Sequence, residues 1–82
     1  MNLEMKRDEI EEIVYENGMG FFDDFEKIDI NEERVEVYKV DDVYCILFFD
    51  YGDSLCELEV VKNFDDIKKC ILEEWKIVVD LK

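Results

Sequence analysis

Apolar residues near the start of the chain recur at helical spacing. Between positions 2 and 17 they share one face at a period of about 3.6 residues: Leu3, Ile10, Ile13 and Val14. This pattern predicts an amphipathic helix over residues 2–17. Gly18 favours a helix end there, because glycine readily takes the left-handed conformation that follows many helices. Asp8 with Glu11 three residues later is an alternative helix start, which would give a shorter helix.

The middle of the chain changes to the two-residue alternation of strands. The predicted strands are EKIDI (26–30), RVEVYKV (34–40), VYCILFF (43–49) and LCELEVV (55–61). The unbroken apolar run VYCILFF is typical of a central strand covered on both faces. In the last strand, alternation places Cys56, Leu58 and Val60 in the core and Glu57 and Glu59 in solvent.

The end of the chain returns to helical spacing. Asn63 is a good N-cap for a second helix whose apolar stripe contains Phe64, Ile67, Ile71 and Trp75. Residues 76–81 either form a short final strand, which their β-branched residues favour, or extend this helix. The elements together predict a single α+β domain over residues 1–82: an N-terminal helix, a three- to four-stranded antiparallel meander, a second helix and, as an open alternative, a short C-terminal strand.

The charge of the chain is strongly negative. Its 82 residues carry 24 acids and 10 bases, for a net charge of -14, and residues 1–42 hold 15 of the acids but 5 of the bases. Such a balance disfavours nucleic acid and anionic membranes as direct partners and favours a basic protein surface. No segment has the length and hydrophobicity of a signal peptide core or a membrane span, so we expect a cytoplasmic protein.

Residue usage limits the chemistry that is available. The chain has no histidine, so no imidazole base and no Ser-His or Cys-His pairing can form, and we expect no catalytic residues and no enzyme. Cys45, Cys56 and Cys70 lack metal-type spacing and lie in apolar runs, which predicts reduced core cysteines. Acid-rich turns such as DYGDSLCELE depart from the EF-hand pattern, so we expect no metal and no cofactor.

The acids of the first helix form an unusual row. Glu4, Asp8, Glu12 and Glu16 follow one another at four-residue intervals, opposite the apolar stripe. The three like-charged pairs oppose folding by about 0.6–1.5 kcal/mol in total before salt screening. The second helix instead alternates in sign along its outer face. Folding therefore does not explain the acids of the first helix.

These observations predict a binding surface. Tyr15 lies within the acidic face of the first helix and offers an apolar anchor. The predicted partner-binding residues are Asp8, Glu12, Tyr15, Glu16, Asp23, Asp24, Glu32 and Glu33. A line of acids at helical spacing can imitate the anionic backbone that a nucleic acid presents to Arg and Lys. The expected partner is thus a basic protein, above all a nucleic-acid-binding enzyme.

The size and charge suggest a class of protein. Small phage-encoded inhibitors, including anti-restriction and anti-CRISPR proteins, use such mimicry against bacterial defence enzymes. The absence of Ala, Thr, Gln, His and Pro with abundant Ile, Phe and Lys resembles AT-rich coding sequence of mobile elements, which implies action in the bacterial host cytosol. Two alternatives remain: an immunity protein or antitoxin that neutralises a basic toxin, and a small soluble structural domain that forms a homodimer through an uncovered sheet face carrying Phe48 or Tyr44.

Overall fold

The computed structural model describes residues 2–81 as an antiparallel sheet with a helix on each face. The elements in chain order are α1 (Leu3–Asn17), a 3-10 helix (Met19–Asp24), β1 (Glu26–Ile28), β2 (Val35–Val40), β3 (Val43–Phe49), β4 (Leu55–Val61) and α2 (Asp65–Trp75). The four strands lie in the order β1-β2-β3-β4, and each pairs antiparallel with the next. The predicted α+β class and the meander are confirmed.

Two local signals set the ends of α1. The Asn2 side chain accepts hydrogen bonds from the backbone N–H groups of Glu4 at 2.9 Å and Met5 at 3.3 Å, so the helix begins at Leu3. The alternative start at Asp8 is wrong. At the other end the Gly18 N–H donates to the Val14 carbonyl at 2.8 Å, so the predicted helix end is confirmed. Gly18 has a positive φ of 76°, but its ψ of -172° lies outside the left-handed helical conformation that was predicted.

The helix α1 and the 3-10 helix together cover one face of the sheet. Ile10 and Phe22 are buried there against Cys45, Leu47 and Leu58. The helix α2 covers the other face of the sheet. Its buried residues Ile67 and Ile71 pack there with four buried strand residues: Val35, Val37, Ile46 and Phe48. The prediction that VYCILFF is covered on both faces is therefore confirmed.

The homodimer alternative requires an uncovered sheet face that carries Phe48 or Tyr44, and α2 covers that face. Phe48 is fully buried and stacks on Trp75 with ring centroids 5.1 Å apart. Tyr44 is half-buried and meets the Phe64 ring edge-on at 5.8 Å. The uncovered sheet face on which that alternative depended is therefore absent from residues 2–81.

The strand β4 departs from the predicted alternation at its start. Phe48 pairs with Glu57 while Phe49 pairs with Leu55, so the register shifts and Cys56 has no partner across the sheet. Cys56 is exposed as a result, and the prediction that it faces the core is wrong. Leu58 and Val60 are buried as predicted.

The ends of α2 also differ from expectation. The Asn63 side chain does not cap the helix: its amide donates to the Asp66 carboxylate at 3.3 Å. After Trp75 the helix stops because Lys76 takes a left-handed conformation with a φ of 58°, so the helix-extension alternative is wrong. The predicted final strand is reduced to a single bridge between Ile30 and Leu81.

Candidate functional site

The outer face of α1 is an exposed acidic surface. Five acids are exposed on this face: Glu4, Asp8, Glu9, Glu12 and Glu16. We call these five residues the α1 acidic row. Tyr15 is 85% exposed and Met5 is 69% exposed on the same face. Both apolar side chains are thus surrounded by carboxylates and free to contact another molecule.

The two basic residues of α1 leave most of this row without a neighbouring cation. The Lys6 ammonium lies 3.6 Å from the Asp41 carboxylate in the turn between β2 and β3. The Arg7 guanidinium reaches Glu59 on β4 at 3.5 Å and also lies 3.4 Å from Asp8. Within residues 2–81, Asp8 is the one member of the row with a cation within 4.0 Å. The charge of the row is consequently almost uncompensated.

A second acidic surface lies beside the 3-10 helix. Asp23 and Glu33 line a shallow depression of about 390 Å³, together with Glu36 and Asp53. At its base the Tyr38 hydroxyl donates to Glu36 at 2.7 Å. Partial burial, this hydrogen bond and the negative charges of Glu36 and Asp23 raise the pKa of Tyr38 to about 12. The phenol is therefore a fixed neutral donor within a cluster of acids.

The remaining predicted residues have different surroundings. Glu32 is engaged by Arg34, whose Nε donates to it at 3.0 Å, and Arg34 also lies over the Tyr51 ring at 5.2 Å. Asp24 is exposed on the 3-10 helix. The structure thus groups Asp8, Glu12, Tyr15 and Glu16 on α1 and places Asp23 and Glu33 in the second surface, whereas Glu32 has an internal partner.

A third carboxylate cluster lies between β4 and α2. Oxygen atoms of Glu57, Glu59 and Glu74 all lie within 4.8 Å of one another. The Trp75 indole N–H donates to Glu57 at 3.4 Å, and Arg7 is paired with Glu59. A hydrogen bond to Glu57, and then the Glu57 charge, raise the pKa of Glu74. The carboxyls are thus engaged with other protein groups, and we assign no metal ion to them.

Sequence reasoning missed this cluster because it assigned Glu57 and Glu59 to solvent. The unbroken apolar run of β3 could have indicated that these two acids meet a helix. Since β3 is covered on both faces, the face of β4 that carries Glu57 and Glu59 must meet the second helix as well. Burial near these acids also raises the pKa of Cys70 to about 12, with the charges of Glu59 and Glu74 contributing.

An open groove of about 400 Å³ runs between α1 and β4. We call it the edge groove. One wall consists of Arg7, Glu11, Val14 and Tyr15 on α1, and the other of residues 55–59 on β4. It adjoins the α1 acidic row through Tyr15, so an extended ligand can contact both surfaces.

Comparison of the chain with protein-family models, with curated protein sequences and with solved structures finds no match. Neither α1 nor α2, the helices of residues 2–81, has the length and hydrophobicity needed to cross a bilayer. Any functional assignment therefore depends on the surfaces described above.

Proposed function

We propose that this chain is a small acidic inhibitor that binds the basic nucleic-acid-binding site of a bacterial defence enzyme, in the manner of anti-restriction or anti-CRISPR proteins. The observation that carries the proposal is the α1 acidic row, which is exposed along its whole length and, within residues 2–81, has a basic side chain within 4.0 Å at Asp8 alone. In this account the row takes the place of a nucleic-acid backbone.

The spacing of the row suits that role. Residues four apart on a helix lie about 6 Å apart along its axis, which gives a regular line of negative charges on one ridge. Basic channels that hold nucleic acid present Arg and Lys side chains to such a line. The excess negative charge of the chain also accelerates encounter with a basic surface at low ionic strength.

Apolar anchors add specificity to the charge. Tyr15 and Met5 are large side chains held in the open among the acids of α1. Interfaces concentrate their binding free energy in aromatic side chains near the centre, surrounded by polar contacts that exclude water. We therefore assign Tyr15 the role of an anchor and Glu12 and Glu16 the role of the flanking anionic contacts.

A capture experiment with competition tests the proposal. The tagged chain is incubated with bacterial lysate at low salt, and the retained proteins are then challenged with duplex DNA or with RNA. We expect a basic nucleic-acid-binding enzyme to be retained and to be released by the nucleic acid, because both occupy the same site. Inhibition of that enzyme by the purified chain is the second readout.

Two matched variants give the control. Glu12→Lys/Glu16→Lys reverses two charges of the row, while Glu73→Lys/Asp80→Lys makes the same change of net charge at exposed positions elsewhere. The first should lose the enzyme and the second should retain it. Equal retention by both variants would contradict the proposal. A toxin that is retained but not released by nucleic acid would favour the immunity-protein alternative.

A further inference from the structure

The edge groove follows the free edge of the sheet. Five consecutive residues of β4, positions 55–59, line it, although side chains of a strand point alternately to opposite faces. A surface that all five share must run along the side of the strand itself. The strand order confirms this, since β4 pairs with β3 and has no neighbour on its other side within residues 2–81. An edge strand of this kind has backbone N–H and C=O groups on that side with no partner strand.

The opposite wall is a single ridge of α1. Arg7, Glu11, Val14 and Tyr15 recur at intervals of three and four residues, which places them on one side of the helix. Five strand residues span about 16 Å, so the groove has the length of a short extended segment. The groove is open on one side, so such a segment can lie alongside β4 with its side chains directed to either wall.

The charges of the groove favour a basic occupant. Glu11, Glu57 and Glu59 line it, against the one base Arg7. Glu74 adds a further carboxyl within 4.8 Å of Glu57 and Glu59. The Oε2 atom of Glu57 is buried and has no hydrogen-bond partner within residues 2–81. The carboxylates of Glu11, Glu57 and Glu59 are each half-buried, so an incoming guanidinium or ammonium group would supply donors to their exposed sides.

We propose that the edge groove binds an extended, arginine- or lysine-bearing segment of the partner protein as an additional strand beside β4. The inference depends on the proposed function for the basic character of the partner, and it adds a second contact beyond the α1 acidic row. Backbone hydrogen bonds to β4 supply affinity in this mode, while the side-chain pockets of the groove supply specificity. The acids at the β4 edge select basic side chains.

A second copy of the chain is a poorer occupant. Antiparallel pairing of β4 with β4 would bring Glu57 and Glu59 of one copy beside the same residues of the other. Like charges opposite each other across a strand pair are destabilising. The charges of the groove therefore favour a basic strand over the β4 strand of a second copy of the chain.

A synthetic peptide tests the groove without knowledge of the partner. The probe is a peptide of about seven alternating arginine and valine residues, blocked at both ends, and the control peptide has glutamate in place of arginine. Amide NMR shifts of the purified chain locate the site. We expect saturable shifts at residues 55–59 and along the α1 ridge, slower exchange of the β4 amides, and no such effect of the acidic peptide.

Two variants separate groove binding from general attraction. Cys56→Arg places a bulky cation at an exposed position in the groove, and Ser54→Arg makes the same charge change at an exposed position outside its lining. We expect Cys56→Arg to weaken peptide binding at least about tenfold and Ser54→Arg less than about twofold, since only the first also blocks the groove.

The outcomes distinguish the two proposals. The groove proposal would be overturned by amide NMR shifts confined to Glu12 and Glu16, or by equal weakening of peptide binding in both variants. Either result would leave nucleic-acid mimicry by the α1 acidic row intact. Failure of nucleic acid to release the captured enzyme, combined with saturable peptide binding at β4, would overturn the mimicry and leave the groove as a site for basic strands. Absence of saturable peptide binding would also overturn the groove.

Discussion

The two helices are alike on their inner faces and opposite on their outer faces. Ile10 on α1 and Ile71 on α2 are both buried, each against one face of the sheet. Outside, α1 carries acids at every fourth position, whereas α2 places Lys69 between Asp65 and Glu73. Alternating charges support a helix and a row of like charges opposes it. The same fold thus contains one outer surface that suits stability and one that does not.

This difference indicates where function resides. A surface that opposes folding persists when it contributes something else, and sites of binding commonly carry such a penalty. The α1 acidic row meets this description and α2 provides the internal reference. Four predictions, beginning with the largest expected effect, test this comparison of the two helices.

The inner faces should respond equally to loss of packing. Ile10→Ala and Ile71→Ala each remove most of a buried side chain, so each should lower the free energy of unfolding by about 2–4 kcal/mol. Urea denaturation followed by circular dichroism measures both. A loss below about 1 kcal/mol for Ile10→Ala alone would mean that α1 is loosely attached, and the comparison of outer faces would lose its basis.

The helix starts should respond differently. Asn2→Ala removes the acceptor for two backbone N–H groups and should lower the free energy of unfolding by about 1 kcal/mol. Asn63→Ala should change it by less than about 0.5 kcal/mol, because that side chain bonds to a carboxylate and not to the helix backbone. Equal losses in the same denaturation assay would show that Asn63 does cap α2.

The pH dependence of stability should report the carboxyl pair at the end of α2. The hydrogen bond with Glu57 raises the pKa of Glu74 above its ordinary value of 4.5, so the stabilisation is present below that value and is lost as pH rises through the raised pKa. Glu74→Gln keeps a donor at every pH. Its stability relative to wild type should therefore increase from about pH 4 to about pH 7.

The adjacent residue provides the control for this titration. Glu73→Gln removes one negative charge from the same turn of α2 while leaving the contact between Glu74 and Glu57 in place. Its stability relative to wild type should change less over the same pH range. Parallel curves for the two variants would show that overall charge, and not the carboxyl pair, controls the response.

Much of the fold could be predicted because it depends on local patterns. The alternation of VEVYKV and the unbroken run VYCILFF indicate which side chains share a face of the sheet, and Gly18 marks the end of α1. The exposed acids of α1 follow from the same helical periodicity that places Ile10 inside. These features require no knowledge of which elements meet in three dimensions.

The errors arose where pairing between distant segments decides the outcome. Cys56 is exposed because of a register shift against Phe49, which the sequence of β4 alone does not reveal. The contact of Glu57 with Glu74 requires that α2 returns across β4. The engagement of Glu32 by Arg34 depends on the exact path of the turn before β2. The edge groove, which two elements share, was equally beyond the sequence pattern.

The most direct test of the central claim compares two single charge reversals of equal size. Glu12→Lys and Glu73→Lys each change an exposed helical glutamate and alter the net charge equally. At low salt, Glu12→Lys should raise the free energy of unfolding by about 1 kcal/mol, because repulsion from Asp8 and Glu16 becomes attraction. Glu73→Lys should lower it by about 0.5 kcal/mol, since it places a third cation beside Lys69 and Lys76.

High salt should remove most of the difference between the two variants, because the charges are exposed. Opposite signs at low salt that converge at high salt would establish that the α1 acidic row is held against the stability of the fold. Equal shifts in the same direction would show that net charge alone governs stability, and would contradict the claim that the row is a functional surface.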